Sequence, residues 1–173
     1  MKALVFNGEI DDDNTAKFLA ALNDLGPDEA AVVYLCSHGG DAANAEVIED
    51  YLAKLGPERF TFVVTWNCSS IALELLCRIS CPFEIGPNAI AIIHLYSHEL
   101  DIRELSDKFS RSTFFKHYVD RDNEAFLREV QVGGIEGEEL DEIAKGNDII
   151  ISGPRITEYI ERIRRYRAKG GQQ

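Results

Sequence analysis

Three positions in the sequence carry groups that could perform nucleophilic chemistry together. Ser70 precedes an apolar helical run, where unpaired N–H groups and the helix dipole favour negative charge. His94 ends an apolar run, and histidine is the usual base for a serine hydroxyl because its pKa lies near the working pH. Gly39-Gly40 follows another apolar run, and without a Cβ the backbone can approach a ligand closely. Together they would supply a nucleophile, a base and part of an oxyanion hole.

Each of these positions also has an ordinary structural explanation. Either serine of the Ser69-Ser70 pair could be a helix N-cap, which is the commonest role of serine there. The glycine pair could form a tight turn, and the imidazole of His94 could be bound to a backbone carbonyl. Ser69 is an alternative nucleophile, while His38 and His98 are competing bases.

The elements that would position these residues alternate along the chain. Apolar runs predict strands over residues 3–6, 30–35, 60–65 and 89–94. Helical periodicity predicts helices over residues 16–25, 42–55 and 71–76. This order implies an α/β fold with a parallel sheet and right-handed crossovers, and residues 30–35 are typical of a central strand. Ligands bind at the carboxyl ends of such strands, so the three positions are expected to meet there.

The character of the chain changes after His94. Residues 101–130 are polar and charged, with apolar residues at helical spacing, which predicts a long projecting helix with a break near Asp120 that ends at Gly133-Gly134. Phe109, Phe114 and Phe115 would leave an apolar patch in water, so we expect this helix to pack on another subunit. A short helix (136–145), a strand (149–151) and a helix (157–168) are predicted to follow.

Composition excludes several classes of function. The 173 residues include 18 Lys plus Arg and 30 Asp plus Glu, a net charge of −12 that opposes binding to nucleic acid and anionic lipid. A basic cluster near the end is interpreted as a solvated, charge-balanced helix end: Arg162, Arg164, Arg165, Arg167 and Lys169. There is no signal peptide pattern and no apolar run near the ~20 residues of a membrane helix. The expected location is the cytoplasm, without membrane contact.

The four cysteines allow a metal site but do not favour one. Cys77 and Cys81 lie four residues apart, and with His94 or His98 they could mimic a zinc site. The usual short-spaced ligand pairs are missing, so free buried thiols in a reducing compartment are the better interpretation. Neither a metal nor a cofactor is expected.

Four motifs in this order are similar to those of a known family. Residues 35–52 resemble a strand, a Ser-Pro-Gly-Gly turn and the helix after it. Residues 69–72, Ser-Ser-Ile-Ala, resemble an Ala-Ser-x-Ala/Gly nucleophile turn. Residues 87–94 resemble a Pro-Asn-Ser…Met-Ile-His strand, and residues 149–152 a Phe-Leu-Ser segment. The chain thus resembles, over about residues 6–163, the Clp protease proteolytic subunit family within the crotonase-like superfamily.

The resemblance implies a fold, an activity and a set of site residues. The fold would be one domain over residues 1–173, a spiral of βαβ units with a core (1–100), a handle region (101–135) and a C-terminal strand and helix (136–173). The activity would be that of a serine endopeptidase on peptides or unfolded proteins. The implied residues are Ser70 as nucleophile, His94 as base, the amides of Gly40 and Ile71 as oxyanion hole, and Asp148 as third triad member, with Asp141 as its alternative.

The resemblance also implies assembly, and the departures from it bear on partners. The handle helix would join copies of the chain into a homo-oligomer. His38 stands where the family has proline, Trp66 where it has glycine, and the segment after His94 lacks the family's glycines. The segment that contacts an ATPase has no counterpart before the first strand, which argues against an ATPase partner. A stand-alone peptidase, an inactive oligomeric homologue and a crotonase-type acyl-CoA enzyme remain open.

Overall fold

The computed structural model describes residues 1–95 and 110–170, and of residues 110–120 it describes the backbone alone. The chain divides into two compact units. The first consists of residues 1–93 together with the residues from 150 onward, and the second runs from residue 94 to residue 149. Strands alternate with helices along the chain, which confirms the predicted α/β class.

The described residues form six strands and six helices. The strands are β1 Lys2–Asn7, β2 Ala31–Ser37, β3 Phe60–Cys68, β4 Phe83–Ile85, β5 Ile90–Ile93 and β6 Ile149–Ser152. The helices are α1 Asp12–Asn23, α2 Ala42–Leu55, α3 Ile71–Arg78, α4 Ser110–Val132, α5 Glu138–Ala144 and α6 Pro154–Ala168, with a 3₁₀ turn at Pro57–Arg59. The bounds of α2 are those predicted, whereas β4 was not predicted.

The strands form one sheet in the order β1-β2-β3-β5-β6, with β4 also paired to β3. The pairs β1/β2, β2/β3, β3/β4 and β3/β5 are parallel, as expected from the alternating elements. Strand β3 changes its neighbour along its length. Its residues Phe62 to Val64 pair with β4, and Asn67 then pairs with Ile90 of β5.

A β-bulge marks the place where β3 changes neighbour. Leu35 of β2 lies opposite Val64 of β3, whereas Ser37 lies opposite Cys68. One residue of β2 therefore faces three residues of β3, at positions 65–67. Such bulges bend a strand and redirect its side chains.

Strands β1 to β3 are covered on one face. Alternate residues are buried: Leu4 and Phe6 in β1, Val33 and Leu35 in β2, and Phe62 and Val64 in β3. Val5 and Tyr34, which are paired in register, are exposed on the opposite face. A central strand of a parallel sheet is usually buried on both faces, which is what residues 30–35 predicted. That prediction is correct for alternate residues only. Helix α2 packs against α1 and α3, and α3 also packs against α6.

Helices α1 and α2 begin with conventional caps. The carboxylate of Asp11 accepts a hydrogen bond from the Asn14 N–H at 2.7 Å, and that of Asp41 accepts one from the Asn44 N–H at 2.9 Å. Both capping residues have extended backbone, as N-caps usually do. The cap makes α1 begin four residues earlier than the predicted position 16.

The second unit contains α4 and α5, which pack against each other. Helix α4 runs without interruption through Asp120 and ends at Val132, so the predicted break is wrong and the predicted end at Gly133 is confirmed. Residues 101–109 of the predicted helix lie outside the described residues, as do the side chains of Phe114 and Phe115. The packing of this helix on another subunit stays a prediction. Across the described ranges, no helix has the length and apolarity needed to cross a membrane.

The cysteines are free thiols, and three of them are buried, as predicted. Burial raises the pKa of Cys81 to about 11 and that of Cys68 well above its usual range. These thiols are therefore neutral and unreactive at physiological pH. Among the side chains that the structure describes, in residues 1–95 and 121–170, no group of three His, Cys, Asp or Glu could hold a metal ion.

One residue of the C-terminal basic cluster is not a solvated charge. The guanidinium of Arg164 donates hydrogen bonds to the carbonyls of Leu76, at 2.8 and 2.9 Å, and Cys81, at 2.9 Å. It lies 4.6 Å from the ring centroid of Phe83, and burial lowers its pKa. Arg164 thus binds a carbonyl of the last turn of α3 and joins α6 to that helix. The interpretation of the cluster as a solvated helix end is wrong for Arg164.

Candidate functional site

Ser70 has a backbone conformation that side chains rarely adopt. Its φ is 54° and its ψ is −132°, and among the described residues it alone has a positive φ without being glycine. Such a conformation costs on the order of 1–3 kcal/mol and persists only where the surroundings enforce it. The strain lies in the link between β3 and α3, directly before the first residue of that helix.

Ser70 is not a conventional N-cap. Its side chain makes no capping hydrogen bond to α3, in contrast to the carboxylates of Asp11 and Asp41 on their helices. Ser70 is partly exposed, and its hydroxyl has no hydrogen-bond partner in the described part of the chain. The capping explanation therefore does not account for this serine.

Ser69 has the structural role instead. Its side chain is buried and donates a hydrogen bond to the side-chain oxygen of Asn67. The same Oγ accepts a hydrogen bond from the Ile92 N–H at 2.9 Å. The hydroxyl of Ser69 is therefore occupied in joining β3 to β5. Ser69, the alternative nucleophile, is poorly suited to that role.

The Gly39-Gly40 turn lies against Ser70. A Cβ on Gly39 would lie 2.7 Å from the Cβ of Ser70 and 3.1 Å from its Oγ, so glycine is required for this close approach. Both glycines have positive φ, 113° and 142°. The Oγ of the buried Ser37 accepts a hydrogen bond from the Gly39 N–H at 3.1 Å, which anchors the turn to the end of β2.

The turn is also anchored to the loop after β1. The Ile10 N–H donates to the carbonyl of Gly39, and the Asp41 N–H donates to the carbonyl of Ile10, both at 2.8 Å. These bonds run on either side of Gly40, whose own N–H takes no part in them. A Cβ on Gly40 would clash with the backbone of Ile10, so this turn too requires glycine.

Two backbone N–H groups near Ser70 have no hydrogen-bond acceptor among the described residues. Neither the N–H of Gly40 nor that of Ile71 donates a hydrogen bond to the described residues. Ile71 is the first residue of α3, where N–H groups have no intrahelical acceptor. These are the two amides that the resemblance assigned to an oxyanion hole. Unpaired donors beside a hydroxyl can stabilise negative charge on an oxygen bound between them.

Strand β5 fixes the turn that carries Ser70. The Ser70 N–H donates to the carbonyl of Ile92 at 2.9 Å, and the Ile92 N–H is the donor to Ser69 Oγ. The N–H of Ser69 in turn donates to the carbonyl of Ser37 at 3.0 Å. The serine turn is therefore held between the ends of β2 and β5.

His94 follows β5 in the chain and begins the second unit. Its Nδ1 lies 2.7 Å from the carbonyl oxygen of Leu95. Since a carbonyl only accepts hydrogen bonds, Nδ1 carries the proton, and Nε2 of the neutral ring keeps its lone pair. This is the tautomer that a general base needs. The backbone-carbonyl partner considered as an alternative explanation is thus present.

Among the described residues, no hydrogen bond or ion pair joins Asp148 to His94. Asp148 is exposed, and neither it nor Asp141 forms a hydrogen bond through its carboxylate with the described residues. The carbonyl of Leu95 occupies the position on His94 Nδ1 that an acidic residue holds in a Ser-His-Asp triad. The role of Asp148 stays a prediction. His38 is exposed, and His98 lies outside the described residues.

One feature just before the serine turn in the chain was not predicted. Strand β3 continues to Cys68, three residues beyond the predicted end, and its bulge leaves the side chain of Trp66 62% exposed. The sequence did hold a signal for this exposed side chain: a large aromatic residue at a position where the family that the chain resembles has glycine.

Comparison of the sequence with models of known protein families, and with curated proteins, finds no match in either case.

Proposed function

We propose that this protein is a serine hydrolase that cleaves peptide bonds through an acyl-enzyme formed on Ser70. The strained backbone of Ser70 is the observation that carries the proposal. In hydrolases whose nucleophile lies on a tight strand-to-helix turn, such strain presents the Oγ to the substrate. A serine that only capped α3 would need no positive φ.

The chemistry would proceed in two stages. Ser70 Oγ attacks the substrate carbonyl carbon, its proton passes to His94 Nε2, and the carbonyl oxygen becomes an oxyanion bound by the N–H groups of Gly40 and Ile71. The C–N bond then breaks as His94 returns the proton to the leaving nitrogen, which leaves the acyl-enzyme. Water, losing its proton to His94, cleaves the ester and regenerates Ser70.

The choice of His94 as base depends on its tautomer. The carbonyl of Leu95 fixes the proton on Nδ1, a task given to the acid in a conventional triad. A carbonyl does not stabilise the positive imidazolium as a carboxylate does. We therefore expect a slower enzyme unless Asp148 approaches the ring when substrate is bound.

We also propose that the chain adopts the spiral of βαβ units, and forms the homo-oligomer, that the resemblance implies. The predicted spiral of βαβ units is compatible with the parallel order β1-β2-β3-β5, and α4 would be the handle that joins copies of the chain. The free thiols suit a cytoplasmic location. Sedimentation of the purified protein would test the assembly, and a monomer at all concentrations would contradict it.

Covalent labelling tests the activity directly. A fluorophosphonate should label the wild-type protein at one position, identified as Ser70 by peptide mass spectrometry. Ser70→Ala should abolish labelling, and Ser80→Ala, at an exposed serine just after α3, is the matched control that should not change it. His94→Ala should slow labelling by on the order of 10²-fold or more. A folded wild-type protein that is not labelled would contradict the proposal.

The unpaired amides would also suit a crotonase-type enzyme that binds an acyl-CoA thioester without a covalent nucleophile. The two hypotheses differ in what Ser70→Ala does. In a crotonase-type enzyme this variant would keep acyl-CoA binding, measured by calorimetry, whereas a peptidase would bind no acyl-CoA. An inactive homologue would show neither labelling nor binding.

A further inference from the structure

Trp66 is a large apolar side chain that the fold exposes four positions before Ser70 in the chain. It is 62% exposed, whereas Val64 and Cys68, two residues to either side, are buried. In a regular strand these three side chains would point to the same face. The bulge at positions 65–67 breaks this alternation and directs Trp66 out of the core.

The position of the bulge ties Trp66 to the site. The bulge includes Asn67, which pairs with Ile90 and accepts a hydrogen bond from Ser69, a residue that fixes the serine turn. Ser70 lies four positions after Trp66 in the chain, so their Cα atoms are at most about 14 Å apart. An extended peptide bound at Ser70 spans that distance with about four residues.

Burying a tryptophan stabilises a protein strongly, so an exposed one at a bulge has a cost that function can explain. Isolated exposed apolar residues are common on protein surfaces. Trp66 differs because the backbone is distorted at the place where it is exposed, and because that distortion leads directly into the strained turn of Ser70.

We propose that Trp66 determines specificity: it binds a large apolar or aromatic side chain of the peptide, within about four residues of the bond that Ser70 cleaves. The indole face offers a wide apolar surface at little cost in conformational entropy, and it stacks well on aromatic rings. This inference rests on the proposed peptidase function, and its test separates the two.

Trp66 is the one tryptophan in the sequence, so its fluorescence reports on this position alone. The first experiment titrates the Ser70→Ala protein with capped tetrapeptides that carry Phe, Leu, Ala or Lys at each position in turn. Peptides with Phe should shift or quench the tryptophan emission at the lowest peptide concentration. Peptides with Leu should need a higher concentration, and peptides with Ala or Lys the highest. Because Ser70→Ala cannot be acylated, this result does not depend on catalysis.

The second experiment measures acylation of Ser70 by peptidyl phosphonates that bear Phe or Ala. Trp66→Ala should reduce the preference for Phe over Ala by about tenfold, the scale of a lost apolar contact. Trp66→Phe should retain most of it. Labelling by a small fluorophosphonate without a peptide should change less than about threefold in both variants. Because Trp66 is exposed, both variants should fold, which circular dichroism checks.

Failure of the two proposals would look different. If the small fluorophosphonate does not label the wild type, the peptidase proposal fails. If labelling succeeds but Trp66→Ala keeps the full preference for Phe, the specificity proposal fails. A preference for Lys over Phe would also overturn the specificity proposal. So would tryptophan emission that changes when the protein is diluted but not when peptide is added, because it would show that Trp66 lies in a contact between copies of the chain.

Discussion

Two turns of this fold have nearly the same backbone but different residues. Ser70 joins β3 to α3 with φ 54° and ψ −132°, and Gly153 joins β6 to α6 with φ 51° and ψ −125°. The Ser70 N–H donates to the carbonyl of Ile92 in β5, and the Gly153 N–H donates to that of Ala89, directly before β5, both at 2.9 Å. Gly137, before α5, has a similar conformation, with φ 59° and ψ −130°.

The residue at each of these turns shows whether backbone stability alone accounts for it. A turn of this shape before a helix favours glycine, which adopts a positive φ without strain. At two of the three turns the sequence supplies it. At the third turn the residue is a serine, which is strained there, and its side chain lies against the Gly39-Gly40 turn, next to the unpaired N–H groups of Gly40 and Ile71. The difference supports a chemical reason for Ser70, because stability alone would select glycine.

The largest expected effect is on activity at Ser70. Replacing Ser70 by glycine converts this turn into the type found at Gly153, and hydrolysis should fall by on the order of 10³-fold or more because the nucleophile is gone. Turnover of a fluorogenic peptide measures the loss. Residual activity above one tenth of wild type would show that another group attacks the substrate.

The second effect is on stability at Gly153. Replacing Gly153 by alanine should cost about 2–4 kcal/mol, because the residue would be strained at φ 51° and its Cβ would lie 2.9 Å from the carbonyl oxygen of Pro87. Urea unfolding measures the change. Gly146→Ala is the matched control, since φ there is also positive but no atom lies within 4 Å of the new Cβ. Equal losses in the two variants would show that contact with Pro87 adds nothing.

The sequence predicted the elements well where local signals are strong. Helix α2 has its predicted bounds because Asp41 caps its start and Gly56-Pro57 ends it. The order of strands and helices placed Ser70 at a strand-to-helix turn and Gly39-Gly40 at another. What the residue types could not give is the φ of Ser70, which depends on hydrogen bonds to β2 and β5.

The features that the sequence missed arise from tertiary contacts. Residues 66–68 belong to β3 because the strand exchanges β4 for β5 as its neighbour, and no local pattern encodes that exchange. Strand β4 has only three residues. Arg164 was grouped with its basic neighbours because charge is visible in a sequence, whereas the carbonyls of Leu76 and Cys81 that bind it are distant in the chain.

A smaller effect should appear in the stability of the Ser70 variants. Ser70→Gly should be more stable than Ser70→Ala by about 1 kcal/mol, because glycine relieves the strain and alanine keeps it. The two variants lose the same hydroxyl, so their difference isolates the backbone. Free energies of unfolding from urea titrations would measure it. Equal stabilities would mean that the turn is unstrained and would remove the main support for the proposed function.

The smallest effect concerns capping, and its size should differ between helices. Asp41→Ala should destabilise the protein by about 1 kcal/mol, because the Asn44 N–H loses its acceptor. Ser70→Ala should cost less than half of that, since Ser70 caps nothing on α3. Asp11→Ala repeats the first measurement on α1, where the capping bond is 2.7 Å. If Ser70→Ala were as costly as the two aspartate variants, its hydroxyl would have a structural role after all, and the contrast between this turn and the conventional caps would fail.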